Sequence, residues 1–400
     1  MESEALVAGG EQAARRAFLA GLLGWTLDAF DFFVLVFVLP AVAEEFHRPV
    51  ADIAYTITLT LAMRPFGALI FGWMADRYGR RIPLMIDVVF YSVVEVLSGL
   101  APSYTTFVWL RALYGIGMGG EWGVGASLAM EAVPARRRGL LSGLLQEGYA
   151  LGYLLAAAAY FTVFPSFGWR PLFFLGGAPA LLAFYIRRQV PESRAWQRTR
   201  PDPRKIWSAV GKNWRSFLYL ILLMTMLNLM SHGTQDIYPT FLEKERGLTA
   251  RTVATIAIVY NIGALCGGLT FGALSDRFGR RRSMSLAAVL GAAVIPFWIY
   301  AGTTVGLAAG AFVMQFMVQG AWGVIPAHLT ELSPAEVRGL FPGLAYQLGV
   351  LLAAGAPYFE ARLAVEMGYA NALAIVAAGV LVSGAIVIAI GRERAAIDFG

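Results

Sequence analysis

The sequence is poor in the residues that most soluble chemistry needs. Its 400 residues include one cysteine, Cys266, and three histidines. A single cysteine cannot close an internal disulfide, and no group of His, Cys, Asp and Glu has metal-ligand spacing. Charged residues make up only 14% of the chain, against about 25% in an ordinary soluble domain. There is no Walker loop, no nucleophile elbow and no soluble sensory domain. No cofactor, metal or catalytic residue is therefore assigned, and an enzyme is not expected. The opening "MESEALVAGGEQAARR" is acidic and lacks a signal peptide's apolar core and small-residue cleavage site.

What the chain does have is apolar sequence. It is 58% hydrophobic, with mean hydropathy +0.62. Most of its apolar runs reach about 20 residues, the length a helix needs to cross a bilayer. Twelve are legible, near 16–43, 52–75, 83–101, 104–130, 138–163, 170–187, 214–241, 251–274, 284–301, 304–330, 337–361 and 369–391. This reads as an all-α integral membrane protein.

The net charge of +6 raises the question of a nucleic-acid partner. Its placement answers against one. Of the 32 Lys and Arg, 24 fall at the termini and in the connections that share their side. Six fall on the opposite side, and Arg64 and Arg111 lie within spans. That asymmetry follows the positive-inside rule, with both termini cytoplasmic in the plasma (inner) membrane.

An internal repeat appears at an offset of 200 residues. "GWMADRYGRR" (72–81) returns as "GALSDRFGRR" (272–281), and "GEWGV" (120–124) as "GAWGV" (320–324). "EAVPARRRGL" (131–140) returns as "ELSPAEVRGL" (331–340). An even number of spans separates equivalent points, so the two copies share one orientation. This divides the chain into six-helix halves at 1–188 and 214–400, joined by a charged connector at 189–213. Pro191, Pro201 and Pro203 disfavour a continuous helix in that connector. Parallel repeats about an axis along the membrane normal suit a transporter that rocks around a midplane site.

G-x-x-x-D-R-x-G-R-R after the second and eighth spans resembles the signature of the major facilitator superfamily. "RALYGIGMG" (111–119) is similar to that superfamily's fourth-span pattern. The resemblance implies the major facilitator fold, twelve transmembrane helices as two parallel six-helix repeats. It also implies a cytoplasmic gate formed by Asp76, Arg77, Arg80 and Arg81 with Asp276, Arg277 and Arg280. Arg and Asp at helix ends can exchange ion pairs between conformations; simple positive-inside anchoring is the alternative.

Ionisable residues inside a membrane are costly and mark function by default. Asp28 and Asp31 stand about twelve to fifteen residues into the first span, roughly 18–22 Å deep. Arg64 lies roughly 12 Å from the cytoplasmic end of its helix; it needs a partner from another helix or an anionic ligand. Arg111 reads as an ion pair tying helices together, a gating residue or a coupling residue. Glu121, in "GGEWG", reads as functional, whereas Asp87 and Glu95 read as helix-end or packing residues.

The seventh span carries a polar stripe, "NLMSHGTQDIYPT" (228–240). At 100° per residue, Asn228, Ser231, His232 and Gln235 share one sector, with Asp236 on its margin. Such a face must meet a wet cavity or another polar helix. Thr234, on the opposite side, can bond locally, and Pro239 loosens the outer end.

The same stretch fits N-x-x-[S/T]-H-x-[S/T]-Q-D-x-x-x-T at every position, including Thr240. It resembles fungal-type lactate/pyruvate:proton symporters and their bacterial relatives, in the sialate:proton symporter (metabolite:proton symporter) family. The chain lacks the extra central spans of longer sialate members, which points away from sialic acid. The resemblance implies that the stripe binds a monocarboxylate and couples its movement to a proton. Arg64, Asn228, Ser231, His232 and Gln235 would hold the acid. Asp28, Asp31, Glu121, His232 and Asp236 compete for the proton. The expected partners are a small carboxylate, a proton and the lipid bilayer, with the chain working as a monomer. Another organic acid, sugar-like or aromatic, is the alternative, and a sugar facilitator has little need of Arg64.

Overall fold

A computed structural model describes residues 2–202, 204–395 and 397–399, with side chains from Gly10 onward. Pro203, one of the connector prolines, lies outside the described residues. Among the described residues there are α-helices, short 3₁₀ turns and no strand.

The first half of the chain forms α1 (Glu2–Glu45), α2 (Val50–Tyr78), α3 (Arg81–Gly99), α4 (Tyr104–Ala132), α5 (Arg138–Gln146), α6 (Gly148–Phe167), α7 (Arg170–Leu175) and α8 (Pro179–Gln189). Two short helices, α9 (Arg194–Thr199) and α10 (Ile206–Lys212), occupy the connector on either side of Pro201. The second half forms α11 (Trp214–Gln235), α12 (Tyr238–Lys244), α13 (Ala250–Phe278), α14 (Arg280–Tyr300), α15 (Thr304–Leu332), α16 (Phe341–Ala353), α17 (Ala356–Met367) and α18 (Tyr369–Ile390).

Joined end to end, the pairs α5–α6, α7–α8, α11–α12 and α16–α17 complete twelve membrane-length rods with the eight long helices. Ten segments among the described residues are long and apolar enough to cross a membrane. The other two rods are α4, which carries Arg111, Glu121 and Glu131, and α7–α8, interrupted before Pro179. The break between α11 and α12 places Pro239 in the first turn of α12, where a missing N–H costs nothing.

Lipid tails offer no hydrophobic drive for helices to associate, so close packing must do that work. Gly119 of α4 lies so near α2 that a Cβ would stand 1.9 Å from the Arg64 carbonyl oxygen. In the second half Gly267 of α13 comes as close to α15, where a Cβ would stand 2.0 Å from the Phe316 oxygen, and its repeat counterpart Gly67 would meet the Ile116 oxygen of α4 at 1.7 Å. The halves meet where α5 packs against α13 and α15, and where α16 packs against α2 and α4. These seams lie toward the side that carries both ends of the described chain. Toward the far end of α11, His232 and Asp236 are each about a third exposed, at 32% and 31%.

Candidate functional site

The closed side is built from two crossed copies of one device. Asp76, at the end of α2, accepts from the backbone N–H groups of Gly339 (2.7 Å) and Leu340 (3.0 Å) in the other half. Asp276, at the end of α13, accepts from Gly139 (2.8 Å) and Leu140 (3.1 Å) in return. Each aspartate thus neutralises the positive start of a helix in the opposite half. Arg80 holds Asp76 at 2.8 Å and Glu131 at 3.1 Å. Arg280 holds Asp276 at 2.7 Å and Glu331 at 2.9 Å.

Two further arginines bridge the halves directly. Arg138 of the first half meets Glu331 at 2.9 Å, and Arg338 of the second meets Glu131 at 3.6 Å. These four side chains were visible in the repeat as retained Glu and Arg, but nothing in the linear sequence paired them. Other expected gate residues stand apart. Arg77 is exposed and lies over Trp73 and Tyr78, at 5.1 and 4.9 Å. Arg81 donates to the Arg187 carbonyl at 2.6 Å within its own half, and Arg277 is exposed. Arg111 is buried inside the first half, where it pairs with Glu95 and donates to Ser98 at 2.6 Å.

Arg64 lies on α2 beside the seam with α16 of the other half. It is 5% exposed, and its Nε and Nη2 have no protein partner. Its guanidinium sits over the Tyr346 ring of the other half at 5.7 Å. Tyr346 in turn packs on Trp122 at 4.5 Å and on Trp322 at 5.8 Å, two residues related by the repeat. Trp25 packs against Trp122 at 6.5 Å and Tyr149 at 5.4 Å. Arg64 therefore presents unused donors in an aromatic floor between the halves. Asp28 lies within electrostatic range of it.

The polar stripe of α11 divides rather than forming one wall. Asn228 turns back to donate to the Met224 carbonyl at 2.7 Å. Ser231 accepts from the Trp322 indole at 2.7 Å. Gln235 donates to Gln315 at 2.6 Å, and Gln315 donates to Thr234 at 3.2 Å. Only His232 and Asp236 of the five present a partly exposed couple, with Nδ1 and Oδ2 2.8 Å apart. Thr234 also bonds its own helix at Met230, at 2.8 Å. The sequence placed these residues on one face correctly; it could not say which would be occupied by Trp322 and Gln315.

Inside the first half lie Asp28, Asp31, Asp87, Glu95 and Glu121, all fully buried. Asp87 is seven residues into α3 and has no hydrogen-bond partner, so it is neither a helix-end nor a paired packing residue. Glu95 is paired, to Arg111. Among the described residues no group of three or more His, Cys, Asp and Glu is arranged to hold a metal ion.

Comparison with known proteins places this geometry. The profile of the Major Facilitator Superfamily matches residues 21–234 and again 221–397. A carboxylic acid transporter protein homolog of Saccharomyces cerevisiae is 31% identical, over 94% of this chain and 68% of its own length. A probable 4-methylmuconolactone transporter of Cupriavidus pinatubonensis is also 31% identical, over 91% of this chain and 87% of its own. The solved proton:xylose symporter XylE shares the fold, with TM-score 0.77 at 18% identity, covering 97% of this chain and 98% of that one.

Proposed function

The chain belongs to the major facilitator superfamily, and from that premise we propose that it carries a small organic monocarboxylate across the membrane together with a proton. The observation that carries this reading is Arg64, a buried guanidinium whose Nε and Nη2 have no protein partner. A buried cation with free donors at the boundary between two halves suits a carboxylate ligand. Lactate, pyruvate and acetate are the intended class.

Proton coupling follows from the electrical cost. Moving one anion against a membrane potential costs about 2.3 kcal/mol per 100 mV, roughly fifty-fold against uptake. One proton carried alongside removes that term and couples uptake to the pH gradient. His232 and Asp236 form a partly exposed hydrogen-bonded couple, while Asp28 stands within range of Arg64. In this reading the protein sits in the cell membrane as a monomer with both termini cytoplasmic. The seam that holds Asp76 and Asp276 then faces the cytoplasm. Halves 1–188 and 214–400 rock about the connector 189–213, exchanging the gate's ion pairs as they do so.

A second reading stays within the same mechanism. The rings of Tyr346, Trp122, Trp25 and Tyr149 around Arg64 favour a flat, unsaturated or aromatic acid, because stacked rings match a planar body. The test is counterflow of labelled lactate in proteoliposomes with unlabelled competitors. Competition by pyruvate, acetate and propionate supports the short-acid reading. Competition by aryl and dienyl acids alone transfers it to the flat acids. Failure of every carboxylate sinks both.

A further inference from the structure

The buried acids of the first half are more than a scatter of charges. Asp31 and Glu95 both abut Gly176, where a Cβ would lie 2.5 Å from Asp31 Oδ1 and 2.4 Å from Glu95 Cγ. One turn along α1, Asp28 stands beside Tyr114, whose hydroxyl donates to the Asp28 carbonyl at 3.0 Å and lies 3.5 Å from its Oδ1. One more turn toward the closed side, Glu121 of α4 lies across Gly24, whose Cβ would meet Glu121 Oε1 at 2.1 Å. Asp87 of α3 is within electrostatic range of both Glu121 and Asp28.

Tyr91 stands in the middle. It is fully buried, its hydroxyl has no partner, and its ring meets Tyr114 edge-on at 6.3 Å. It interacts electrostatically with Asp28, Glu121, Asp31 and Asp87. Asp87 and Glu95, at the two ends, are eight residues apart on α3, hence roughly 12 Å along the helix axis. The group is therefore elongated along the membrane normal.

The charge balance decides what such a group can be. Five carboxyls share the space with two guanidiniums. Arg111 is taken by Glu95 and Ser98, and Arg64 lies over Tyr346 of the other half. Asp31, Asp87 and Glu121 are left with no hydrogen-bond partner for either oxygen. A carboxyl left without a cation inside a membrane span is a candidate proton carrier. Once protonated it can both donate and accept, as can a tyrosine hydroxyl. Packing alone has no use for three acids where apolar side chains would serve.

We propose that Glu95, Asp31, Asp28, Tyr114, Tyr91, Asp87 and Glu121 form a proton file through the first half, beside Arg64. It carries the coupling proton along the membrane normal. Asp87 and Tyr91 are the members that no substrate contact explains. In each step a member accepts one proton on a free oxygen lone pair and gives its own O–H proton to the next oxygen, so its charge is unchanged after the two transfers; no electrons move. The file rests on the proton-coupled reading above.

The experiment compares two assays in proteoliposomes, using Asp87→Asn, Tyr91→Phe and the unmodified chain. Counterflow exchanges acid for acid and needs no net proton movement, whereas accumulation driven by a pH gradient does. Both variants are expected to keep counterflow and to lose gradient-driven accumulation by about a hundred-fold, the scale of one positioned proton-transfer group. Full accumulation in both variants overturns the file, and so does loss of counterflow in both, which marks a structural role. If the unmodified chain itself fails to accumulate acid under the gradient, the coupling reading fails first, in a lane that contains no variant.

Discussion

Arg138 and Glu331 pair at 2.9 Å across the boundary between the halves, both nearly inaccessible. The repeat supplies the mirror pair, Arg338 and Glu131, at 3.6 Å. Breaking one partner of a buried pair leaves an uncompensated charge, a loss of about 3–5 kcal/mol. Glu331→Gln should therefore destabilise the closed gate and open the side that carries the termini. Spin-label distances between α5 and α15 report it directly. An unchanged distance distribution contradicts a gating role for this pair.

Phe399 lies over both bridging arginines, 4.2 Å from the Arg138 guanidinium carbon and 4.3 Å from that of Arg338. The Ile397 carbonyl accepts from Arg138 at 2.7 Å. The segment after α18 thus holds one arginine from each half against the same ring. Partly desolvated cation–π contacts contribute about 0.5–2 kcal/mol each. Phe399→Ala should shift the equilibrium away from the closed gate by a smaller amount than Glu331→Gln. The same α5–α15 spin-label distances should lengthen, by less than in Glu331→Gln; an unchanged distribution contradicts the bracing.

Arg64→Ala removes the cation assigned to the carboxylate. Truncating one partner of a buried charge pair costs about 2–5 kcal/mol, so acid binding should weaken by roughly thirty-fold or more. Arg64→Lys keeps the charge without the planar fork and should restore only part of it. Calorimetry or tryptophan fluorescence, with Trp122 and Trp322 near the site, reads both. Equal affinities in the three proteins remove Arg64 from the site.

His232→Ala and Asp236→Asn break the partly exposed polar couple at the end of α11. Uptake driven by a pH gradient should fall in both while counterflow persists. Gln235→Ala has a different expected effect. It strips the Gln315 carbonyl of a buried donor, costing about 1–3 kcal/mol of stability. A lower melting temperature with coupling retained would separate that bracing role from the proton role.

The fold was legible because the repeat at an offset of 200 aligns Gly, Asp and Arg at helix ends, and helix ends fix how rods join. The ion-pair cluster at the seam was legible only in part. Asp76 and Asp276 were named, but their ligands are backbone N–H groups of Gly339, Leu340, Gly139 and Leu140, which carry no side-chain signal. Arg77 and Arg277 sit in the same motif yet point outward, since adjacent residues on a helix face different ways. Periodicity put Asn228, Ser231 and Gln235 on one face. It could not foresee that Asn228 would fold back on its own helix while Trp322 and Gln315 took the others. Asp87 read as packing because its neighbours Tyr91 and Glu121 come together only in the folded half.

The central claim, an organic acid carried with a proton, meets its most direct test in purified protein reconstituted into vesicles. Labelled lactate is supplied with an imposed pH gradient, alkaline inside, and its internal concentration is followed with and without a protonophore. The account predicts accumulation above the external concentration that collapses when the protonophore is added, and that fails for Arg64→Ala. Equilibration to the external level, indifferent to the gradient for lactate and for the short and flat acids alike, would contradict it.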